Sequence, residues 1–300
     1  MLRRWLTGLV VAVLCGWTSI ASAGPVILAG HDTDSHGFTT VYDDLFKSLF
    51  DNVTNGGSGI LAIGADPATT ASGWITTVAG LIDLDPVTIG VQSPSVTFVN
   101  DAAISGVDFS LYAILHIPSD SANTFGGITG AENALLTARA ADVAAFVNGG
   151  GGLFGLTQAA LPDDYGYITG AGGLGAITTL FVSPSGFLPS GGLYDNVDAT
   201  VAGGLVGLTD TNVDGCCWHN VFTSFPSFFD VLATANEPAT ADAAFNGQAS
   251  VIGGASVTIT PINPIPEPSS MLLFGLGGLG AGFIRRRRKL NNVSLVTCHV

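Results

Sequence analysis

Short apolar runs alternate with amphipathic segments in the first half of this chain, and this alternation restricts the fold more than any other feature. Residues 25–30, 60–63 and 153–156 are apolar runs next to glycine, which is typical of strands buried on both faces. From residue 38 to 53, apolar residues recur every three to four positions, which predicts an amphipathic helix that ends at residues 55–57, Asn-Gly-Gly. Strand and helix in this order predict βαβ units and a parallel sheet.

The rest of the chain extends this pattern less regularly. Further helices are predicted over residues 74–82 and 131–147, and further strands over residues 87–91, 96–99 and 111–117. After about residue 160 the helical spacing fades, and strands are predicted at residues 177–182, 201–208, 229–235 and 251–260. We therefore expect an α/β fold with a doubly wound, mostly parallel sheet, completed by added strands and long Gly-rich loops.

Charge is distributed unevenly along the chain. The whole chain has a net charge of −14, but residues 24–266 contain 22 acidic residues against Lys47 and Arg139, a net charge of −20. A surface of this sign repels phosphate backbones, so nucleic-acid binding is excluded as the function. Cations are the more natural partners of such a surface.

The N-terminus has the layout of a secretory signal peptide. Arg3 and Arg4 precede an apolar run at residues 9–14, and the small residues 21–23, Ala-Ser-Ala, come before Gly24. This order predicts a signal peptide over residues 1–23 that is removed after Ala23. The alternative, a retained membrane helix, is disfavoured because the apolar run is short and a cleavage site follows it.

The C-terminus has three parts in a fixed order. A Pro-Glu-Pro motif is followed by the uncharged residues 270–284 and then by a cluster of basic residues. Fifteen helical residues span only about 22 Å, less than the roughly 30 Å of a hydrocarbon layer, so this segment predicts a short helix that holds the chain in a membrane temporarily. The residues that define the motif and the cluster are Pro266, Glu267, Pro268, Arg285, Arg286, Arg287 and Arg288.

This tail resembles the PEP-CTERM sorting signal of Gram-negative bacteria over residues 263–289. The resemblance implies that the secretion machinery exports the protein and that an exosortase in the membrane cuts near the motif. It also implies a transient membrane anchor, followed by release or transfer to the cell surface or to its polysaccharide matrix. Such tails usually end after the basic cluster, whereas this chain continues through residues 290–300. The organisation expected is a signal peptide, a secreted domain at residues 24–262, the sorting signal and an extra tail.

Removal of both ends leaves two of the four cysteines, Cys216 and Cys217. Adjacent cysteines cannot join distant parts of a fold, so no disulfide framework is expected. In an oxidising compartment they can form a vicinal disulfide that stiffens a turn. Redox chemistry or metal binding is the alternative, although a zinc site needs more ligands at suitable spacing.

The segment around residues 131–158 carries a second resemblance. A helix, the glycine run at residues 149–152 and the strand that leads to Thr157 and Gln158 resemble the class I glutamine amidotransferase-like fold, with a flavodoxin-like sheet over residues 25–260. The family includes sugar-pathway members of the trehalose-utilisation type. The resemblance implies a Cys nucleophile at the position that Thr157 occupies here, with a Gly after it and a His-x-Glu pair downstream, both absent. Because an unactivated Thr hydroxyl is a poor nucleophile, the domain is expected to lack this chemistry and not to be an enzyme.

Histidine and aspartate side chains directly follow the first predicted strand. The carboxyl ends of parallel strands are where such sheets place ligands, so these residues and a histidine on a later strand are expected to face one crevice. Imidazole and carboxylate ligands suit Zn²⁺ or Mn²⁺ and support metal-assisted hydrolysis. The alternative is that Asp34 or Ser35 caps the following helix and the histidines are ordinary loop residues. The candidate ligands are His31, Asp32, Asp34, His36 and His116.

Asp210, Asn212 and Asp214 match the first half of a calcium loop, in which oxygens at positions 1, 3 and 5 converge before Gly215. Position 12 of that loop is Val221 instead of the usual Glu, so other groups would have to complete a Ca²⁺ site. The alternative is a polar turn. The nearby His219 could reach the crevice, although nothing in the sequence places it there.

Taken together, the sequence predicts a secreted, exosortase-processed cell-surface or matrix protein whose inert amidotransferase-like domain has a binding or structural role. Extracellular polysaccharide is the candidate ligand. The alternative is a metal-assisted extracellular hydrolase that acts on carbohydrate or peptide. The two differ in whether the crevice side chains lie within metal-bonding distance of one another. A purely structural matrix protein, a third class, predicts no ordered site.

Overall fold

The structure is a computed structural model, and it describes residues 22–32, 39–66, 70–81, 95–120, 127–157, 164–170, 177–181, 196–214, 218–237 and 245–259. The strands are β1 Val26–Ala29, β2 Ile60–Ile63, β3 Val96–Val99, β4 Ile114–Ile117, β5 Gly152–Leu156, β6 Thr178–Phe181, β7 Val197–Ala199, β8 Asn220–Ser224, β9 Asp230–Ala235 and β10 Ala249–Gly254. The α-helices are α1 Thr39–Asn52, α2 Thr70–Leu81, α3 Gly130–Thr137, α4 Ala140–Asn148, α5 Gly166–Thr169, α6 Val201–Gly204 and α7 Asp210–Val213, and two 3₁₀ helices cover Asp101–Ser105 and Phe109–Leu111.

Five strands form the parallel half of the sheet, in the order β3-β2-β4-β5-β1. β1, β2, β4 and β5 are buried along their whole length, as their continuous apolar sequences predict. The predicted strands at residues 25–30, 60–63, 96–99 and 153–156 therefore match the structure to within one residue at each end. The predicted strand at residues 87–91 lies outside the described residues.

Helices cover both faces of the parallel half. One face packs its side chains, such as Ile27 and Phe154, against Phe46 of α1 and Trp74 of α2. The opposite face packs against α3, α4 and α5, for example through Val143 of α4. Each of these helices presents one apolar stripe to the sheet, so the fold buries two separate layers of core side chains.

The antiparallel half begins where β10 pairs with β1. Gly254 lies opposite Val26 and Val251 opposite Ala29, so the last described strand of the chain is inserted beside the first. β8 pairs with β10, β6 pairs with β8, and β9 joins β10 to β7, all in antiparallel pairs. The structure is thus a mixed α/β fold with a sheet that is parallel on one side of β1 and antiparallel on the other.

Two predicted elements differ from the structure. The predicted helix at residues 131–147 is two helices, because Ala138 and Arg139 leave the helical path between α3 and α4. At this break the Arg139 side chain donates hydrogen bonds to the carbonyls of Ile104 and Val107, at 2.7 and 2.8 Å. The predicted strand at residues 111–117 starts only at residue 114, after the 3₁₀ helix Phe109–Leu111.

The prediction of a strand at residues 201–208 is wrong. The segment begins with α6, whose N-terminus is capped by the Thr200 hydroxyl, which accepts a hydrogen bond from the Gly203 amide. Val201 and Leu205 are 89% and 85% exposed, so these apolar side chains do not form the buried face that the strand prediction assumed. β7 and β8 were not predicted, because their short sequences lack a clear alternation.

The described residues contain no helix that is both long and apolar enough to cross a membrane. Residues 1–21 of the predicted signal peptide and the predicted short helix at residues 270–284 lie outside the part of the chain that the structure describes.

Candidate functional site

The carboxyl end of β1 lies at the boundary between the parallel and antiparallel halves of the sheet. On the parallel side, the Thr157 amide donates a hydrogen bond to the Ala29 carbonyl over 3.0 Å. On the antiparallel side, the His219 and Asn220 amides both donate to the Gly30 carbonyl, at 2.9 and 3.1 Å. Open α/β sheets bind ligands beyond the carboxyl ends of their strands, at such changes in topology. This place is therefore the candidate functional site.

Gly30 permits this close approach. A Cβ atom at position 30 would lie 1.9 Å from the carbonyl oxygen of Asn220, so any side chain there would push the two segments apart. The glycine that ends the first apolar run thus brings residues from distant parts of the chain together at the end of β1.

A buried carboxylate beside two imidazole rings forms the centre of the site. Asp32 has no exposed surface, and its Oδ2 lies 3.1 Å from Nε2 of His219. Its Oδ1 lies 3.9 Å from Nδ1 of His31, the preceding residue. Both histidines are buried too. A carboxylate taken out of water is costly unless partners donate protons or positive charge to it, and imidazole can supply both.

Trp218 fixes the position of His31. The two rings pack edge to face with their centroids 4.6 Å apart, and the backbones of the two residues form an isolated antiparallel bridge. The buried indole of Trp218 donates from Nε1 to the Val213 carbonyl over 3.0 Å. Edge-to-face packing of rings is favourable, so His31 is held by the antiparallel half of the sheet.

A carboxylate in contact with an imidazole ring favours one orientation of that ring. The same pair occurs in general bases and in histidines that ligate metals, where the carboxylate contacts the ring nitrogen opposite the reacting one. In this site Nε2 of His219 is turned to Asp32, so Nδ1 is the nitrogen that faces away from the carboxylate. The geometry therefore suits proton transfer or metal binding at Nδ1, as well as a purely structural cluster.

Thr157 lies at the end of β5, one strand away from Asp32. Its side chain is 1% exposed, and its hydroxyl has no hydrogen-bond partner in the part of the chain that the structure describes. Two residues earlier, Gly155 leaves room for the Tyr167 ring, because a Cβ atom there would lie 2.2 Å from the Tyr167 hydroxyl. Tyr167 of α5 thus packs directly on β5, two residues before Thr157.

The structure does not bring His116 to the end of β1. In β4, His116 lies opposite Phe154, which in turn lies opposite Ile27, five positions before Asp32. Its ring is surrounded by Phe46, Trp74 and Phe154, with centroid distances of 5.5 to 5.6 Å. Burial lowers the pKa of His116 to about 3, so the ring is neutral at neutral pH.

Of the residues proposed for the crevice, the structure therefore brings together His31 and Asp32, and it adds His219. Asp34 and His36 lie outside the described residues, as do Cys216 and Cys217. Within the described ranges, no group of three or more His, Cys, Asp or Glu side chains is arranged to hold a metal ion. The crevice metal site and the vicinal disulfide thus stay predictions.

The three residues of the predicted calcium loop bind backbone amides. Asp210 and Asp214 each accept a hydrogen bond at 2.9 Å, from the amides of Ala199 and Val197 in β7. Asn212 accepts from the Thr209 amide over 2.7 Å in a capping box at the start of α7. A calcium ion would have to use the remaining lone pairs of these oxygens, so calcium binding also stays a prediction.

An open cavity of about 370 Å³ lies beside α4 and the 3₁₀ helix Phe109–Leu111. Its lining includes the polar residues Asn55, Asp108, Ser110, Arg139 and Asp142. Arg139 also pairs with Asp142 at 2.8 Å and lies 3.9 Å from the centre of the Phe109 ring. The cavity lining thus combines polar groups with the apolar side chains of Phe109, Ala145 and Phe146.

Comparison with known protein families gives a match for one segment of the chain. Residues 264–289 match the family described as the PEP-CTERM protein-sorting motif. No curated protein and no solved structure matches the chain. The match covers the tail alone, so the function of the folded domain has to be argued from its own residues.

Proposed function

We propose that this protein is exported, is held briefly at the membrane by its C-terminal tail, and is then cut by an exosortase to act at the cell surface or in the extracellular matrix. The match of residues 264–289 to the sorting motif carries this proposal. The signal-peptide pattern of residues 1–23 supports it independently, because sorting on the outer side of the membrane requires export.

The processed protein recovered from the surface or medium of producing cells is expected to begin at Gly24 and to lack residues 285–300. Intact-mass measurement and N-terminal sequencing would determine both ends. Changing Glu267 to Gln tests the motif, and changing the exposed Asp51 to Asn serves as the control that should be processed normally. Mature extracellular protein that still carries Arg285 to Arg288 would contradict the proposal.

For the folded domain, we propose a binding or structural role on a catalytically inert, amidotransferase-like scaffold. Support comes from the helices on both faces of the parallel strands and from Thr157, which stands at the end of β5 where that family would place a cysteine. A buried hydroxyl without a neighbouring base in hydrogen-bond contact is a weak nucleophile.

Extracellular polysaccharide is the ligand class that we propose. The open cavity beside Phe109–Leu111 supports it, because its lining combines aromatic rings with Asn55, Ser110 and two carboxylates, which offer acceptors and donors for sugar hydroxyls. The net charge of −20 over residues 24–266 favours neutral or cation-bridged polysaccharides over acidic ones.

A second candidate function is metal-assisted hydrolysis of extracellular carbohydrate or peptide. The contact between Asp32 and His219, with His31 adjacent, is the observation that favours it. Imidazole and carboxylate donors fit Zn²⁺ or Mn²⁺, and a bound ion would polarise the bond that is cut. His31 and His219 would hold the ion, and Asp32 would orient His219 as it does in the structure.

Metal analysis of the purified processed protein separates the two functions. The hydrolase requires about one Zn²⁺ or Mn²⁺ per chain, and this ion should be lost when Asp32 is changed to Asn and retained when Asp51 is changed to Asn. A wild-type protein without Zn²⁺ or Mn²⁺, purified without chelators, would rule out the hydrolase.

Calcium binding at Asp210, Asn212 and Asp214 should be weak, with a Kd on the order of 10⁻⁴ to 10⁻³ M. It should disappear when both aspartates are changed to alanine.

A further inference from the structure

The two ends of the folded domain meet at the last turn of α4. The Gly24 amide donates a hydrogen bond to the Val147 carbonyl over 2.7 Å, and the Gly24 carbonyl accepts one from the Val257 amide over 2.9 Å. The side-chain amide of Asn148 binds the backbone of Ile259 twice, donating to its carbonyl over 2.6 Å and accepting from its amide over 2.8 Å. We call Val147, Asn148 and these partners the end clasp.

The end clasp is closely fitted around Gly24. A Cβ atom at this position would lie 2.0 Å from the carbonyl oxygen of Gly151, so only glycine fits. Gly24 is buried, whereas Ser22 is exposed. Val257 and Ile259 are buried with 1% and 0% of their surface exposed. Gly24, where the predicted signal-peptide cleavage creates a new N-terminus, is therefore held in a fixed position by the fold.

The charges around the last turn of α4 also favour a cation at this position. The carbonyl groups at a helix C-terminus carry partial negative charge, which basic side chains in the last turn usually complement. α4 has no basic residue in its last turn. Cleavage after Ala23 would place the positively charged α-ammonium group of Gly24 next to the Val147 carbonyl, within that last turn.

We propose that the last turn of α4 is a binding site for the ammonium group of the processed N-terminus. This inference rests on the proposed export and signal-peptide removal. In the precursor, position 24 has one neutral N–H donor; after hydrolysis of the Ala23–Gly24 peptide bond it has three donors and a positive charge. Hydrogen bonds from a charged donor are roughly twice as strong as neutral ones, so processing strengthens the end clasp.

The test compares two processed forms of the chain, one beginning at Gly24 and one retaining Ser22 and Ala23, both with the same C-terminus. An acetylating active ester is the probe, and mass spectrometry follows acetylation of the terminal amine, with Lys47 as the internal reference. We expect the Gly24 amine to react about tenfold more slowly than the Ser22 amine, a factor that corresponds to about 1.4 kcal/mol. Equal rates, after correction by Lys47, would overturn the proposal.

A second measurement distinguishes the effect of the positive charge on the Gly24 amine from the effect of burying that amine. Acetylation of Gly24 removes its charge, whereas reductive monomethylation keeps it. The acetylated protein should melt at a lower temperature than the unmodified one, and the methylated protein should lie closer to the unmodified one. Equal melting temperatures for the free and acetylated forms would contradict capture of the ammonium group.

Gly24→Ala should lose the protection of the amine and lower the melting temperature, because its Cβ atom has no space. Gly73→Ala is the matched control, since nothing lies within 4 Å of a Cβ atom there. N-terminal sequencing of each protein from producing cells reports separately whether the signal peptide is removed after Ala23. A cleavage site elsewhere would count against the proposed processing, while fast acetylation of a confirmed Gly24 amine would count against the end clasp alone.

Discussion

Asp32→Ala is expected to lower the free energy of unfolding by about 1 to 3 kcal/mol, the usual cost of taking the partner away from a buried polar group. Asp32 has no exposed surface and lies 3.1 Å from His219 and 3.9 Å from His31. Without the carboxylate, Nε2 of His219 faces a buried site that no longer offers an acceptor. Urea denaturation at neutral pH, followed by fluorescence, measures the loss.

Asp51→Ala is the control for this substitution. Asp51 pairs with Lys47 at 2.8 Å on the exposed side of α1, an i,i+4 pair that contributes only about 0.2 to 0.5 kcal/mol. If Asp32→Ala destabilises the protein no more than Asp51→Ala does, the contact between Asp32 and His219 does not exist in solution.

Acidification from pH 7 to pH 4 is expected to cost about 3 kcal/mol of stability through His116 alone. Burial lowers the pKa of His116 to about 3, whereas an unfolded histidine titrates near 6.5. Between these values the unfolded state binds a proton that the folded state does not, so this contribution is complete above pH 6.5 and is lost as the pH falls toward 3.

His116→Phe keeps a ring among Phe46, Trp74 and Phe154 but cannot take up a proton. The substitution changes the volume of the cluster, so its absolute stability will differ from that of the wild type. The comparison is therefore between slopes: urea midpoints measured from pH 7 to pH 4 should fall less steeply for the variant. Parallel slopes would mean that His116 is protonated as easily in the folded state as in the unfolded one.

Elements with strong local periodicity could be predicted from the sequence, and elements shaped by distant contacts could not. α1 and the buried strands β1, β2 and β5 follow from apolar spacing within a few residues. The break between α3 and α4 lies at Arg139, whose side chain reaches the sequence-distant carbonyls of Ile104 and Val107. The pairing of β10 with β1 joins opposite ends of the domain, which no local pattern records.

The same distinction holds for the candidate site. His31 and Asp32 could be predicted as a centre of the site because ligands gather at the carboxyl ends of strands. His219 is brought there by β8, an unpredicted strand in the antiparallel half, so no local pattern pairs it with Asp32. Histidine is a common metal ligand, which is why His116 was a candidate. It lies within β4 among aromatic rings, and only the register of β4 shows this.

The two carboxylates that bind the β7 amides also affect how the edge of the sheet can pair with other chains. β7 pairs with β9 alone among the described strands, and an unpaired strand edge can template the addition of strands from other chains. Asp210 and Asp214 occupy the amides of Ala199 and Val197, the donors that an incoming strand would need. They also add negative charge along that edge, which repels identical chains. These two side chains thus leave the outer edge of β7 a poor template for strand addition.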